Sequence, residues 1–259
     1  MGLSDNPFVE PGDDLSANRA KVYQLGLRNP FAIGFADDGR LFISNTGWFS
    51  WEEIESGGVG ANFGWPYFEG GDNGVLLPAP GYQDLPSDVA RDFPRAAEFY
   101  AAVASGAITI APAYRAFAHD ESVPGFQLQA IVGVPSATYS GSQYPEEFQN
   151  DLFFADISDG EVYVIDANDR SDVKFLYSTQ ALPVTFSQGP DGYVYVANLS
   201  GTITRLLIEP KAPSSVEFAP QGSASVAGGV FTLTTGAGQA GTAMWTGRLD
   251  VAKDFTVAF

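Results

Sequence analysis

The densest local chemistry in the chain lies in three short stretches: Gly26-Leu27-Arg28-Asn29-Pro30-Phe31, Trp51-Glu52-Glu53-Ile54 and Gly60-Ala61-Asn62-Phe63-Gly64-Trp65-Pro66. Arg28 offers a planar fork of donors suited to carboxylates, and Asn29 adds a neutral amide beside it. The plain alternative is a strand-edge arginine paired with a local acid. Glu52-Glu53 and Glu146-Glu147 are carboxylate pairs of the kind glycoside hydrolysis uses. Adjacent residues on a strand point to opposite faces, so each pair is expected on a solvated edge. Ser136, Ser140 and Ser142 carry hydroxyls without a neighbouring His or Lys, which suits turns better than nucleophiles. Gly57-Gly58-Val59-Gly60 lacks the Lys and the helix that follow a phosphate loop. His119, beside Asp120 and Glu121 in a polar stretch, reads as a loop histidine.

Composition limits what these groups can serve. The 259 residues include 31 Asp+Glu against 13 Lys+Arg, a formal charge of −18, which argues against nucleic acid and anionic membranes. Such a surface suits solubility in a salty or extracellular medium; carboxylate-rich loops for divalent cations are the sharper reading. Cysteine is absent, which excludes thiol nucleophiles, disulfides and Cys-ligated zinc, and one His excludes His-rich metal sites. Hydrophobic residues at 45% exclude disorder, while the longest apolar runs are too short to span a bilayer. Gly2-Leu3-Ser4-Asp5-Asn6-Pro7 after Met1 has no leader-like basic or apolar segment. That is expected of a cytoplasmic chain or of one whose natural N-terminus lies upstream; the motifs below favour the second.

The elements that must position these groups are short strands. Val22–Leu25, Ala32–Phe35 and Arg40–Ser44 read as strands, with Asp38-Gly39 as the hairpin turn between the last two. Asn150–Asp166 repeats the unit around Asp159-Gly160, and Thr185–Leu206 does so around Asp191-Gly192 and Ser200-Gly201. Repeated antiparallel units suggest propeller blades, with a β-sandwich as the alternative. One helix is expected within 87–104, where Val89, Phe93, Ala96, Ala97, Tyr100 and Val103 fall at helical spacing. Ser87 is its candidate N-cap, and Pro94 would delay its start. The predicted organisation is blades over 1–209, a Pro-rich linker over 210–220, and the start of a β-sandwich over 221–259, with strands at Val230–Thr234 and Phe255–Phe259.

Taken in order, the three motifs resemble the quinoprotein glucose/sorbosone dehydrogenase family, soluble sugar dehydrogenases that use pyrroloquinoline quinone (PQQ). The likeness extends over about residues 5–208 through Asp5-Asn6-Pro7-Phe8-Val9, Phe68-Glu69-Gly70, Phe99-Tyr100, Pro112-Ala113-Tyr114, Ala118-His119, Tyr139-Ser140-Gly141, Leu152-Phe153-Phe154-Ala155-Asp156 and Gly189-Pro190-Asp191-Gly192. It implies an all-β fold, part of a six-bladed propeller, in an extracytoplasmic protein acting on a sugar. It further implies that Arg28 and Asn29 contact PQQ and that the carbonyls of Gly47 and Trp48 hold calcium, with a second calcium near Glu69 and Asn73. The tail is similar to the opening strands of legume-type lectin sandwiches.

Two departures qualify that implication. The family's general base is a His upstream of the Arg-Asn-Pro motif, and none of the 27 residues before Arg28 is His. The positions matching the family's further basic residues hold Ser158, Leu182 and Val184, which leaves PQQ charge uncompensated. The chain is therefore expected to be a portion of a PQQ-dependent sugar dehydrogenase-like protein, inactive by itself. The rival expectation is a non-catalytic extracellular propeller that binds carbohydrate or protein, and a third is a hydrolytic propeller using calcium-activated water.

Overall fold

The computed structural model describes residues 2, 4–79, 94–133, 138–208, 218–222, 225–227, 230–232 and 241–245. The chain divides into two compact units, Met1–Ile208 and Glu209–Phe259.

Three antiparallel sheets make the first unit. The first has the order β1 (Pro30–Phe35), β2 (Leu41–Asn45), β3 (Trp51–Ser56), β4 (Arg115–Ala118), with α1 (Pro94–Ala104) between β3 and β4 in sequence. The second runs β5 (Ile131–Val132), β6 (Asp151–Asp156), β7 (Glu161–Asp166), β8 (Val173–Ser178). The third contains β9 (Pro183–Gln188), β10 (Val194–Asn198) and β11 (Ile203–Arg205), hydrogen-bonded in sequence order. These are the blade-like hairpin sheets expected from the Asp-Gly repeats.

Each sheet is built on the same turn chemistry. Gly39, Gly160 and Gly192 adopt φ of 86°, 76° and 82°, where a Cβ would be strained. The preceding Asp38, Asp159 and Asp191 each accept, through Oδ1, the N–H two residues on, at 3.0, 3.0 and 3.3 Å. Period-2 alternation then sorts the side chains of the second sheet. Leu152, Phe154, Tyr163 and Ile165 pack with Phe42, Ile54 and Phe117 of the first sheet. Phe153, Ala155, Val162 and Val164 pack with Phe186, Val194 and Val196 of the third. The second sheet is thus buried on both faces, which explains the unbroken apolar run Leu152–Ala155.

Three expectations need correction. Val22–Leu25 is not a strand; Leu25 makes a single parallel bridge to Asn62. Gly26 turns the chain at φ 79°, and a Cβ there would lie 2.4 Å from both Asn62 Oδ1 and the Gly64 nitrogen, so the ladder stops. Glu52 and Glu53 are not solvated but buried, because β3 is an interior strand between β2 and β4. Their side chains do diverge to opposite faces, as a pleat requires. Phe218–Pro220, assigned to the linker, lie in β12 (Phe218–Gly222) instead, with Phe218 opposite Trp245. Pro220 is tolerated because a two-stranded ladder leaves one side of each strand unpaired.

Within the expected helical stretch, the described helix starts at Pro94, a residue suited to the first helical position by its fixed φ. Ser87, Val89 and Phe93 lie outside the described residues. So do Ser136, linker residues 210–217 and the expected strand at Phe255–Phe259. The second unit shows β12 (Phe218–Gly222) paired with β15 (Gly241–Trp245), and β13 (Ser225–Ala227) with β14 (Val230–Thr232), all antiparallel. Among the described residues, no helix is long and apolar enough to cross a membrane.

Candidate functional site

Arg28, Asn29, Gly47 and Trp48 converge at one end of the first sheet. Asn45, the last residue of β2, makes that possible: its Oδ1 accepts the N–H groups of Arg28 at 3.2 Å and Asn29 at 3.1 Å. The Asn29 carbonyl in turn accepts the N–H of Thr46 at 3.0 Å. Arg28 reaches across, and its Nη1 donates to the carbonyls of Thr46 and Gly47. Its guanidinium lies 5.7 Å from the centre of the Trp65 ring, within cation–π range. Arg28 and Asn29 are both exposed, so the edge faces solvent.

Beneath this edge, the loop Thr46–Trp51 is pinned by two buried carboxylates. Glu69 Oε1 accepts four consecutive N–H groups, from Trp48 (2.8 Å), Phe49 (2.7 Å), Ser50 (3.0 Å) and Trp51 (3.3 Å). Glu52 Oε2 accepts the N–H of Gly47 at 3.2 Å and of Ile131 at 2.8 Å, which ties the loop to the second sheet. Gly47 has no alternative, since a Cβ there would sit 1.5 Å from the Trp51 carbonyl oxygen.

His119 completes the clamp. Its Nε2 meets Glu52 Oε1 at 2.8 Å and its Nδ1 meets the Phe49 carbonyl at 3.1 Å. A carbonyl and a carboxylate both accept hydrogen bonds, so both ring nitrogens are engaged. The hydrogen bond to Glu52 raises the His119 pKa, while burial raises that of Glu52. His119 follows β4 as a loop residue, as expected, but it is an anchored one.

The other face of β3 carries a second carboxylate group. Asn45 Nδ2 donates to Glu53 Oε2 at 3.0 Å and Glu55 Oε1 at 3.1 Å, and Glu53 Oε1 accepts the N–H of Gly70 at 2.7 Å. Burial pushes Glu53 up to about 7 and raises Glu55 well above the carboxylate range. Burial disfavours the charged form of each carboxylate, and their proximity adds to the effect.

This geometry fits the two implied groups unequally. An exposed guanidinium with an amide beside it, bordered by Trp65, suits one edge of a planar polycarboxylate. Ser158 adds no charge, since its Oγ donates to Asp156 Oδ1 at 2.6 Å, and Leu182 and Val184 are half-buried and neutral. Of the two carbonyls implied for calcium, that of Gly47 already accepts from the Arg28 guanidinium, and the nearby Glu52 and Glu69 are turned to backbone N–H groups. Among the described residues, no cluster of three or more His, Asp or Glu could hold a metal ion.

Sequence reasoning missed Asn45, the Glu69 cradle and the display of Trp48 and Phe49. The last had a signal: Thr46-Gly47-Trp48-Phe49-Ser50-Trp51 puts three aromatics into a turn composition, without strand alternation.

The family model described as Glucose / Sorbosone dehydrogenase matches residues 2–134, just over half of the chain. Among solved structures, the soluble aldose sugar dehydrogenase (Asd) of Escherichia coli in its apo form is 19% identical with a TM-score of 0.51, covering 78% of this chain and 50% of that one. A glucose dehydrogenase structure is 17% identical with a TM-score of 0.52, covering 81% and 51%. These likenesses support the propeller-type fold. The chain spans about half the length of the structures it matches. No curated protein matches it.

Proposed function

Since this chain belongs to the glucose/sorbosone dehydrogenase family, we propose that its Arg28–Asn29 edge holds carboxylates of PQQ in an extracytoplasmic site for oxidising a sugar hydroxyl. When bound, PQQ would supply the hydride acceptor. The observation that carries this reading is the exposed guanidinium of Arg28, oriented by Asn45 through the backbone and by the Thr46 and Gly47 carbonyls. Those bonds use one nitrogen of the fork and leave its exposed remainder to an anion. Asn29 contributes a neutral amide at the same edge.

Oxidation also needs a base for the hydroxyl proton, a contribution of about 10²–10⁴-fold. His119 does not provide it, because both its ring nitrogens are engaged, by the Phe49 carbonyl and by Glu52. The chain by itself therefore binds but does not turn over. The reading is tested by titrating PQQ into the protein and following the quinone absorbance. Charge-assisted hydrogen bonds contribute about 1.5–3 kcal/mol, so Arg28→Ala is expected to weaken binding by about 10–100-fold. Equal affinity in wild type and variant would overturn the assignment.

A further inference from the structure

We propose that two copies of this chain associate head to tail, the open face of one copy's first sheet packing on the open face of the other's third sheet. Because the second sheet is covered on both faces, the three sheets of the first unit have two flanks. On one flank, Phe42 packs toward the second sheet and lies opposite Gly34 in the ladder, which turns Ile33 and Phe35 to the other face. Ile33 is 60% and Phe35 51% exposed, and Phe31, at an irregularity of the same ladder, is 45% exposed. On the other flank, Val194 and Val196 pack toward the second sheet, so Ala197 and its ladder partner Ile203 face away. Ile203 is 75% exposed, and Leu207, beside buried Leu206, is 67% exposed.

The pattern of β1 is the reverse of what a solvated face needs. A sheet with one face in water puts apolar residues inward and polar ones outward. Here Phe31-Ala32-Ile33-Gly34-Phe35 puts its small residues, Ala32 and Gly34, inward and its large apolar ones toward water. Contiguous apolar side chains exposed in this way mark a surface that another sheet covers.

The stacking order selects the occupant. Along the chain the first sheet packs on the second and the second on the third. The open face of the first sheet is thus the one that receives a preceding sheet, and the open face of the third receives a following one. A second copy presents both, and under two-fold symmetry the same contact forms twice and closes. The chain spans about half the length of the propeller-type structures it resembles, so two copies supply the sheets that such a ring needs. A charge of −18 on each copy opposes the contact, so apolar burial must drive it and salt must strengthen it.

The test is sedimentation velocity on the full chain without cofactor, over a range of protein and salt concentrations. The expected mass is twice the chain's 27.5 kDa, with the dimer fraction rising as salt is added. Ile33→Lys and Ile203→Glu alter exposed positions, one on each flank, and each should weaken the dimer about tenfold or more by placing a charge in an apolar contact. Their far-UV circular dichroism should match wild type; Ile33→Ser and Ile203→Ser stand in for a variant that fails to fold. Mixed in equal amounts, the two variants should regain a dimer, because the mixed pair keeps one unaltered contact. Phe175→Ala removes an exposed aromatic from β8, on neither flank, and should change nothing. A monomer under all conditions, or open-ended oligomers, would overturn the proposal. So would a dimer that Ile33→Lys weakens and Ile203→Glu does not, which is two first sheets face to face.

Discussion

Glu69→Ala is expected to destabilise the first unit by about 3 kcal/mol or more, since removing a buried ionic acceptor strands its partners. Glu69 is 2% exposed, and one of its oxygens satisfies the four N–H groups from Trp48 to Trp51. Among the described residues, the neighbouring carboxylates are engaged elsewhere: Glu52 by Gly47, Ile131 and His119, and Glu53 by Asn45 and Gly70. For a unit of this size the loss corresponds to a fall in Tm of roughly 6–12 °C. Glu69→Gln keeps an acceptor oxygen and should cost less. Thermal and denaturant unfolding measure the effect; a loss under about 1 kcal/mol would show that the turn is held by its own sequence.

The second large effect is on pH dependence. Burial raises Glu53 to about 7 and Glu55 well above its ordinary value, and it raises Asp151 to about 7 despite Lys174 at 3.7 Å. The hydrogen bond to Glu52 raises His119 as well. A group whose pKa is higher in the folded state binds protons on folding. Its stabilisation is complete below the unfolded pKa and is lost as pH rises through the folded one. For the carboxylates that window opens near 4–4.5 and runs through about 7 and beyond; for His119 it lies above its ordinary 6.5. Stability should therefore fall from about pH 5 to pH 8, by up to roughly 1.4 kcal/mol per pH unit for each proton released. Exposed Asp14 and Asp38, lowered by hydrogen bonds to Ser16 and Arg40, act in the opposite direction at acid pH. The double variant Glu53→Gln/Glu55→Gln should flatten the profile between pH 5 and 8. A profile that rises over that range would contradict the buried-proton account.

What could be read from the sequence follows from which forces are local. The Asp-Gly hairpins were legible because an Asp that caps the N–H two residues on, followed by a Gly at positive φ, is a device contained within four residues. The blade strands were legible through alternation and turn spacing. The burial of Glu52 and Glu53 was not, because a charged residue on a strand is solvated or buried according to which strands lie beside it. The carboxylates of Glu52 and Glu69 are stabilised by N–H groups of a loop, and Glu69 is 17 residues further along the chain than Glu52. Val22–Leu25 had strand composition, yet the close approach of Gly26 to Asn62 and Gly64 ended the ladder after one bridge. The structure brings Arg28 and Asn29 beside Thr46 and Gly47. That Arg28 takes the Gly47 carbonyl was not legible, because it depends on a backbone fixed by Asn45 and on the guanidinium lying against Trp65.

The central proposal is that the Arg28–Asn29 edge binds PQQ while His119, engaged at both ring nitrogens, does not act as the base. It is tested most directly by dye-linked oxidation of glucose and other aldoses with the purified chain, saturating PQQ and added calcium. The account predicts no turnover above the PQQ-only control, with quinone binding still visible in the same samples. Turnover that is abolished by Arg28→Ala would contradict it and show that a complete catalytic site is present in these residues.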